Sequence, residues 1–246
     1  MSIRNKLKER EEARDKAAQG AGGGINAGLP DGVTRYVKLG QELKDGKTFV
    51  PLAEPDMWFF YYVHEDGDFA TRAQHVRKHT CLHSPHAAPA SKEESPDLFD
   101  KYVKANGAAC ISCRAKAKRK LYFMLPVFDP QYGTWRVLDL KEFHAGKLID
   151  DYDKLEKAAK KFNKDYTLVG DAVVIRKTSD GKSYSMEAGE LDEAALEAAR
   201  AFIGSTEINY EELANFRDED DIRAILEAAT EGHVDKSVLA APPVNF

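Results

Sequence analysis

The sequence predicts a mainly β fold built on a small closed barrel, followed by a helical, acidic C-terminal region. Three observations carry this expectation. About seven short runs between Thr34 and Ala188 are rich in β-branched and aromatic residues. The turn signals "KDGK", "PQYG" and "TSDGK" separate consecutive runs, as hairpins require. Long helical periods dominate only from Leu191 onward. Hairpin-linked strands of this kind favour an antiparallel sheet closed on itself over a parallel one.

Residues 4–18 are helix-prone and of mixed charge, with little apolar content, and they end at "GAGGG" (Gly20–Gly24). Residues 1–28 therefore read as an N-terminal arm and a Gly-rich linker. "TRYVKL" and "TFVPLA" flank "KDGK" as a short hairpin, and "MWFFYYVH" (Met57–His64) reads as a central strand. "KLYFMLPVFD" and "TWRVLDL" flank "PQYG" as a second hairpin. After a helix at "YDKLEKAAKKFNKDY", "DAVVIRK" and "SYSMEA" form the last hairpin. Residues 29–189 make the core, with an insertion at about 64–120. Residues 190–246 hold two helical patterns, "ELDEAALEAARAFI" and "YEELANFRDEDDIRAILEAA", each with apolar positions at helical spacing.

The 246 residues carry a net charge of −5, unevenly spread. From Glu187 onward fifteen acids face four bases, leaving −11 there and +6 on the remainder. A basic body with an acidic tail points to a nucleic acid, with the tail as its partner or competitor. No run is long and apolar enough to span a bilayer, and the N-terminus lacks a signal-peptide core. The expectation is a soluble, intracellular protein without a membrane partner.

All three cysteines fall between residues 81 and 113, two of them as C-x-x-C. An odd number cannot close into disulfides, and a thiolate inside a protein needs a compensating charge. Zinc supplies that charge and fixes four ligands tetrahedrally. Cys81, Cys110 and Cys113 would give three thiolates, and a nearby histidine the fourth ligand. His64, His75, His79, His83 and His86 all lie close enough in sequence. Such a closed site is structural, and here it would tie the ends of the long polar segment between residues 83 and 106. A redox C-x-x-C would sit at a helix start in a βαβ setting, whereas this one precedes a strand in a basic stretch.

Directly after Cys113 stand Arg114, Lys116, Lys118, Arg119 and Lys120, and Arg72, Arg77 and Lys78 precede Cys81. Trp58, Phe60 and Tyr62 share one face of the aromatic strand, with Tyr36, Tyr122 and Trp135 on neighbouring runs. Cations that track phosphates and aromatic faces that stack on unpaired bases are what a single-strand groove needs. One face of each strand must be core, so only part of this set is available for stacking. The chain has no phosphate loop, no H-E-x-x-H and no G-x-S-x-G, and no enzyme is expected.

The order of these parts resembles the zinc-containing single-stranded-DNA-binding, helix-destabilising proteins of tailed phages. The resemblance covers roughly residues 30–190. It rests on "YVKL…FVPL", "WFFYYVH", the lone Cys81 before "CISC", the basic "KRKLYFMLPVFDPQYGTWRVLDL" and the closing "GDAVVIRKTSDGKSYSMEA". It implies an OB-fold with a structural zinc ion and a role in DNA replication, recombination and repair in the cytoplasm of an infected host cell. By position His64 matches the family's histidine ligand, and the longer stretch before Cys81 keeps His75 as the alternative. The arm would mediate self-association along the strand, and the acidic region would recruit replication proteins. The other expectation is a zinc-bearing protein-interaction module that acts through its acidic helices without binding nucleic acid.

Overall fold

The computed structural model describes residues 25–65, 78–86, 110–214, 216–229 and 234–240. The expected arm, apart from residues 25–28, lies outside the described residues, as do His75, Arg72 and Arg77. The strands are β1 (Lys47–Pro51), β2 (Phe59–Glu65), β3 (Lys78–Thr80), β4 (Arg119–Asp129), β5 (Thr134–Lys141), β6 (Val173–Lys177) and β7 (Tyr184–Ala188). The helices are α1 (Leu39–Glu42), α2 (Ile111–Arg114), α3 (Glu142–Ala159), α4 (Glu193–Arg200), α5 (Tyr210–Ala214) and α6 (Glu219–Ala228). Two compact units share them: described parts of 60–121 and 209–246 form one, and 26–59 with 122–208 the other.

The second unit is an antiparallel sheet in the order β5–β4–β1–β6–β7. β1 changes partner midway, pairing with β6 through Lys47–Phe49 and with β4 through Val50 and Pro51. The end strands β5 and β7 do not pair with each other, so the sheet is open and the expected closed barrel is not formed among the described residues. The reason lies in "TRYVKL". It makes no hairpin with β1 and lies instead along the outer edge of β5. There Val37 donates to the Val137 carbonyl at 2.9 Å, and Val137 donates to Arg35 at 2.7 Å. An edge satisfied in this way is closed to further strands.

The same pairing explains a proline in the middle of β4. Pro126 faces Val137, whose N–H and C=O are both spent on the 35–37 segment, so the pair is a non-hydrogen-bonded one. The missing donor therefore costs no β4–β5 bond, and the Pro126 carbonyl accepts from Leu52 at 3.1 Å on the other edge.

Alternation along β1 and β4 sorts their side chains onto two faces. Phe49 and Val127 join the main core with Trp58, Leu125, Leu138, Val173 and Ile175. Val50 and Phe128 face a smaller cluster with Ala199, Leu196, Phe202 and Ile203, which α4 brings in. Helix α3 covers the main core with Ala145, Leu148 and Tyr152, spaced as one helical stripe. It begins at Glu142, ten residues before the expected Tyr152, because "EFHAGKL" already carries that stripe.

In the first unit β2 and β3 pair antiparallel, with His64 opposite His79. The C-terminal pattern expected as one helix from Tyr210 is broken into α5 and α6. Asp218 caps α6, its carboxylate accepting from the Asp221 N–H at 2.8 Å. Ile222, Ile225 and Leu226 of α6 then pack on Ile111, Ala115 and Ala117.

Candidate metal centre

His64 near the end of β2, Cys81 just after β3, and Cys110 and Cys113 around α2 converge. Their four donor atoms all lie within 4.8 Å of one another. The His64 Nε2 stands 3.5 Å from both Cys110 Sγ and Cys113 Sγ, and Cys81 Sγ is 3.7 Å from Cys113 Sγ. No disulfide forms; the three cysteines are free, and only Cys113 is not fully buried. This group can hold a metal ion.

Local backbone chemistry builds the site. Cys110 has extended backbone geometry at the N-cap of α2, so one short helical turn carries both C-x-x-C sulfurs. The pair thus does sit at a helix start, four residues long, before the basic stretch and strand read from the sequence. Past the helix, Lys116 adopts φ +60°, the one left-handed non-glycine among the described residues. Its N–H donates to the Cys113 carbonyl, and the Ala117 N–H donates to Ser112, both at 3.0 Å. Two such bonds around a left-handed residue form a Schellman cap, a place where glycine is the usual occupant.

The cap turns the Ala117 carbonyl toward the His64 Nδ1, 3.2 Å away. With its Nδ1–H donated there, the ring presents the Nε2 lone pair to the sulfurs. His79, opposite His64, places its Nε2 2.8 Å from the buried Ser112 hydroxyl inside C-x-x-C. Ser112 and the Ala117 carbonyl escaped sequence reasoning: the first is an ordinary residue between two cysteines, and the second is backbone.

Without metal, His64, Cys110 and Cys113 shift from their ordinary values. Burial pushes His64 down, but hydrogen bonds to Cys110 and Cys81, together with their negative charge, outweigh it and raise the imidazole to about 9. Hydrogen bonds from Cys113 and Cys81, with the nearby His64, push Cys110 down toward thiolate. Cys113 is pushed up by the hydrogen bonds it shares with Cys110 and Cys81. Burial, then the charge of His64, holds His79 down at about 3, so it stays neutral.

The expected binding residues fall in both units. Trp58, Phe60, Tyr62 and Tyr122 are buried. Tyr62 lies under the Arg119 guanidinium at 3.7 Å, Trp135 under Arg35 at 4.1 Å, and Tyr122 6.0 Å from the Lys141 ammonium. Tyr36 and Trp135 are half-buried, as is Lys78, whose ammonium reaches the Tyr61 hydroxyl at 3.1 Å. Arg114 is 4.0 Å from Glu219, Lys116 3.7 Å from Asp235, and Lys120 2.9 Å from Glu65. Lys118 is exposed. His86 stacks on Phe216 at 4.0 Å and meets Glu211 at 3.2 Å, away from the four donors.

No helix among the described residues is long and apolar enough to cross a membrane. Compared with protein-family models, curated proteins and solved structures, the chain matches none.

Proposed function

We propose that this chain is a non-enzymatic binder of single-stranded DNA, stapled by zinc, of the kind that serves phage replication and recombination. Support for zinc comes from the donor spacing. A tetrahedral ion with ligands at ~2.3 Å (sulfur) and ~2.0 Å (nitrogen) has edges of about 3.8 Å between sulfurs and about 3.5 Å between sulfur and nitrogen. The Cys81–Cys113 edge is 3.7 Å and the edges from His64 to Cys110 and Cys113 are 3.5 Å, with every edge within 4.8 Å. Three thiolates and an imidazole are also a soft set that favours zinc over magnesium or calcium. With all four ligands from protein, the ion's role is structural.

The observation that carries the binding reading is the chain that leaves the knuckle. Lys116 and Lys118 are exposed and Lys120 half-exposed, while Ala117 and Leu121 between and after them are buried. These three cations within five residues run from the cap (Lys116) through the approach to β4 (Lys118) into its start (Lys120), a short rail suited to a polyanion. The metal fixes where that rail begins.

The test is anisotropy of a labelled mixed-sequence oligonucleotide, single-stranded or duplex, at low and moderate salt. Tight binding of the single strand alone, weakening steeply with salt, is expected. Equal affinity for the duplex, or none for either, overturns the proposal. A second reading draws on α6, whose apolar face is spent on the knuckle while Asp220 and Glu227 stay exposed on it. In that reading the acidic helices meet a basic protein partner, and loss of oligonucleotide binding would favour it.

A further inference from the structure

We infer that the second unit carries its own contact for single-stranded nucleic acid, centred on Phe162 and the lysines around it. This rests on the binding reading above and adds a site remote in sequence from the metal knuckle.

Phe162 is 94% exposed and Phe143 60%; they are the large hydrophobic side chains left in water among the described residues. Around Phe162, just past the end of α3, stand Lys157, Lys160, Lys161 and Lys164, all exposed, with no acid between 157 and 164. Lys160 pairs with Glu156 at 2.7 Å. Cations near a helix C-terminus complement its dipole, which accounts for the lysines on structural grounds. It does not account for an aromatic ring held in water.

Nor is the ring's exposure an accident of a loose loop. Phe162 and Asn163 donate to the Ala159 carbonyl at 2.9 and 3.1 Å, and Tyr166 donates to Asn163 at 3.1 Å. The Asp165 N–H donates to the Asn163 side chain at 3.2 Å, and the Tyr166 hydroxyl to Asp171 at 2.6 Å. Tyr166 turns inward against the core, leaving Phe162 outward on a fixed turn. A preorganised aromatic face amid exposed lysines, Lys160 being paired with an acid, matches an unpaired base flanked by phosphates. Charge complementarity selects a polyanion, and the ring selects one with bases exposed.

The experiment compares the full chain with Phe162→Ala, Phe162→Trp and the triple Lys157→Gln/Lys161→Gln/Lys164→Gln in the same anisotropy titration, adding ultraviolet crosslinking to an oligothymidine with peptide mapping. Because Phe162 is already in water, its replacement leaves the fold intact. Phe162→Ala should weaken binding about 5- to 150-fold, the range for one stacked base. Phe162→Trp should retain affinity and show quenching on binding. The triple variant should flatten the salt dependence by about 2 in log–log slope. Crosslinks should map to the 157–164 segment. If the wild-type chain binds and these variants bind equally well, or if crosslinks fall only on 116–122, this inference fails and the binding reading stands. Failure of the wild-type chain to bind overturns both. Concentration-dependent self-association lost in the variants, without crosslinks here, would assign the patch to a second copy and also overturn the inference.

Discussion

Replacing Lys116 by glycine should strengthen metal retention, although it deletes a cation beside the site. Lys116 holds φ +60° at the left-handed position of the cap behind C-x-x-C. An L-residue there costs roughly 1–2 kcal/mol relative to its right-handed state. Glycine avoids that strain but brings roughly 0.5–1 kcal/mol of extra backbone entropy to be lost. The difference, about 0.5–1 kcal/mol, favours glycine. The side chain gives little back, because it is 80% exposed and stands 3.7 Å from an exposed Asp235. Folding of this turn and metal capture are coupled, since the cap presents the carbonyl that orients His64. The gain should therefore appear as about 2- to 5-fold slower or weaker extraction of zinc by a chromogenic chelator. Lys116→Gln, which keeps the strained position and removes only the charge, should behave as wild type. Lys116→Val, β-branched at a left-handed position, should release zinc faster. A Lys116→Gly variant that loses zinc more readily than wild type would refute the link between this cap and the site.

Further expectations concern both units. Cys113→Ser should abolish stoichiometric metal and lower the melting temperature, by elemental analysis and calorimetry; full stability without metal contradicts a structural ion. Metal affinity should rise between pH 6 and 9, because the metal-free site is protonated. His64 lies raised from 6.5 to about 9, so it stabilises the metal-free fold fully below 6.5 and loses that contribution toward 9, while the metal-bound form gains. Melting with and without chelator at pH 6, 7.5 and 9 reads both trends. Ile225→Ala, at a fully buried contact behind α2, should cost about 2–5 kcal/mol and speed zinc release; unchanged release would uncouple α6 from the knuckle. In the second unit Arg136 spends all five N–H groups on Glu42, Asp129 and the carbonyls of Thr34 and Tyr36. Arg136→Met should cost about 3 kcal/mol by urea melts, since it leaves the buried Asp129 and the partly buried Glu42 to share Lys47 as their countercharge. Burial pushes the Glu42 carboxyl up, but Arg136, the Lys38 N–H and Lys47 outweigh it and hold it at about 2. Its contribution is present above about 4.5 and fades as pH falls toward 2, a loss that Glu42→Gln should blunt.

The three thiols were legible because cysteine chemistry is local, whereas five nearby histidines left the fourth donor open until the fold brought His64 to them. What placed His64 at the site, a carbonyl swung into position by a cap, is backbone geometry that side-chain letters do not encode. The strands at 47–51, 59–65, 119–129, 134–141, 173–177 and 184–188 follow apolar runs and turn residues visible in the sequence. "TRYVKL" misled because its alternation says it lies extended, not which edge it joins, and a hydrogen-bonded partner a hundred residues away decides that. The aromatic strand misled differently. A continuous run such as "WFFYYVH" marks burial on both faces, and all of its rings went to the interior. Phe162 drew no notice because a lone aromatic among lysines has no period.

The first unit is assembled from two stretches separated by the whole of residues 122–208. On a ribosome, all four metal donors have been made by Cys113, but α6, which backs the knuckle, comes roughly a hundred residues later, a delay of roughly 5–20 s at ordinary elongation rates. The nascent chain must therefore either capture its ion on a half-built scaffold or keep three thiols safe from oxidation until the last helix arrives. With zinc as the proposed ion, a cell short of it would expose that interval first, as misassembled new chains and not as failure of those already made.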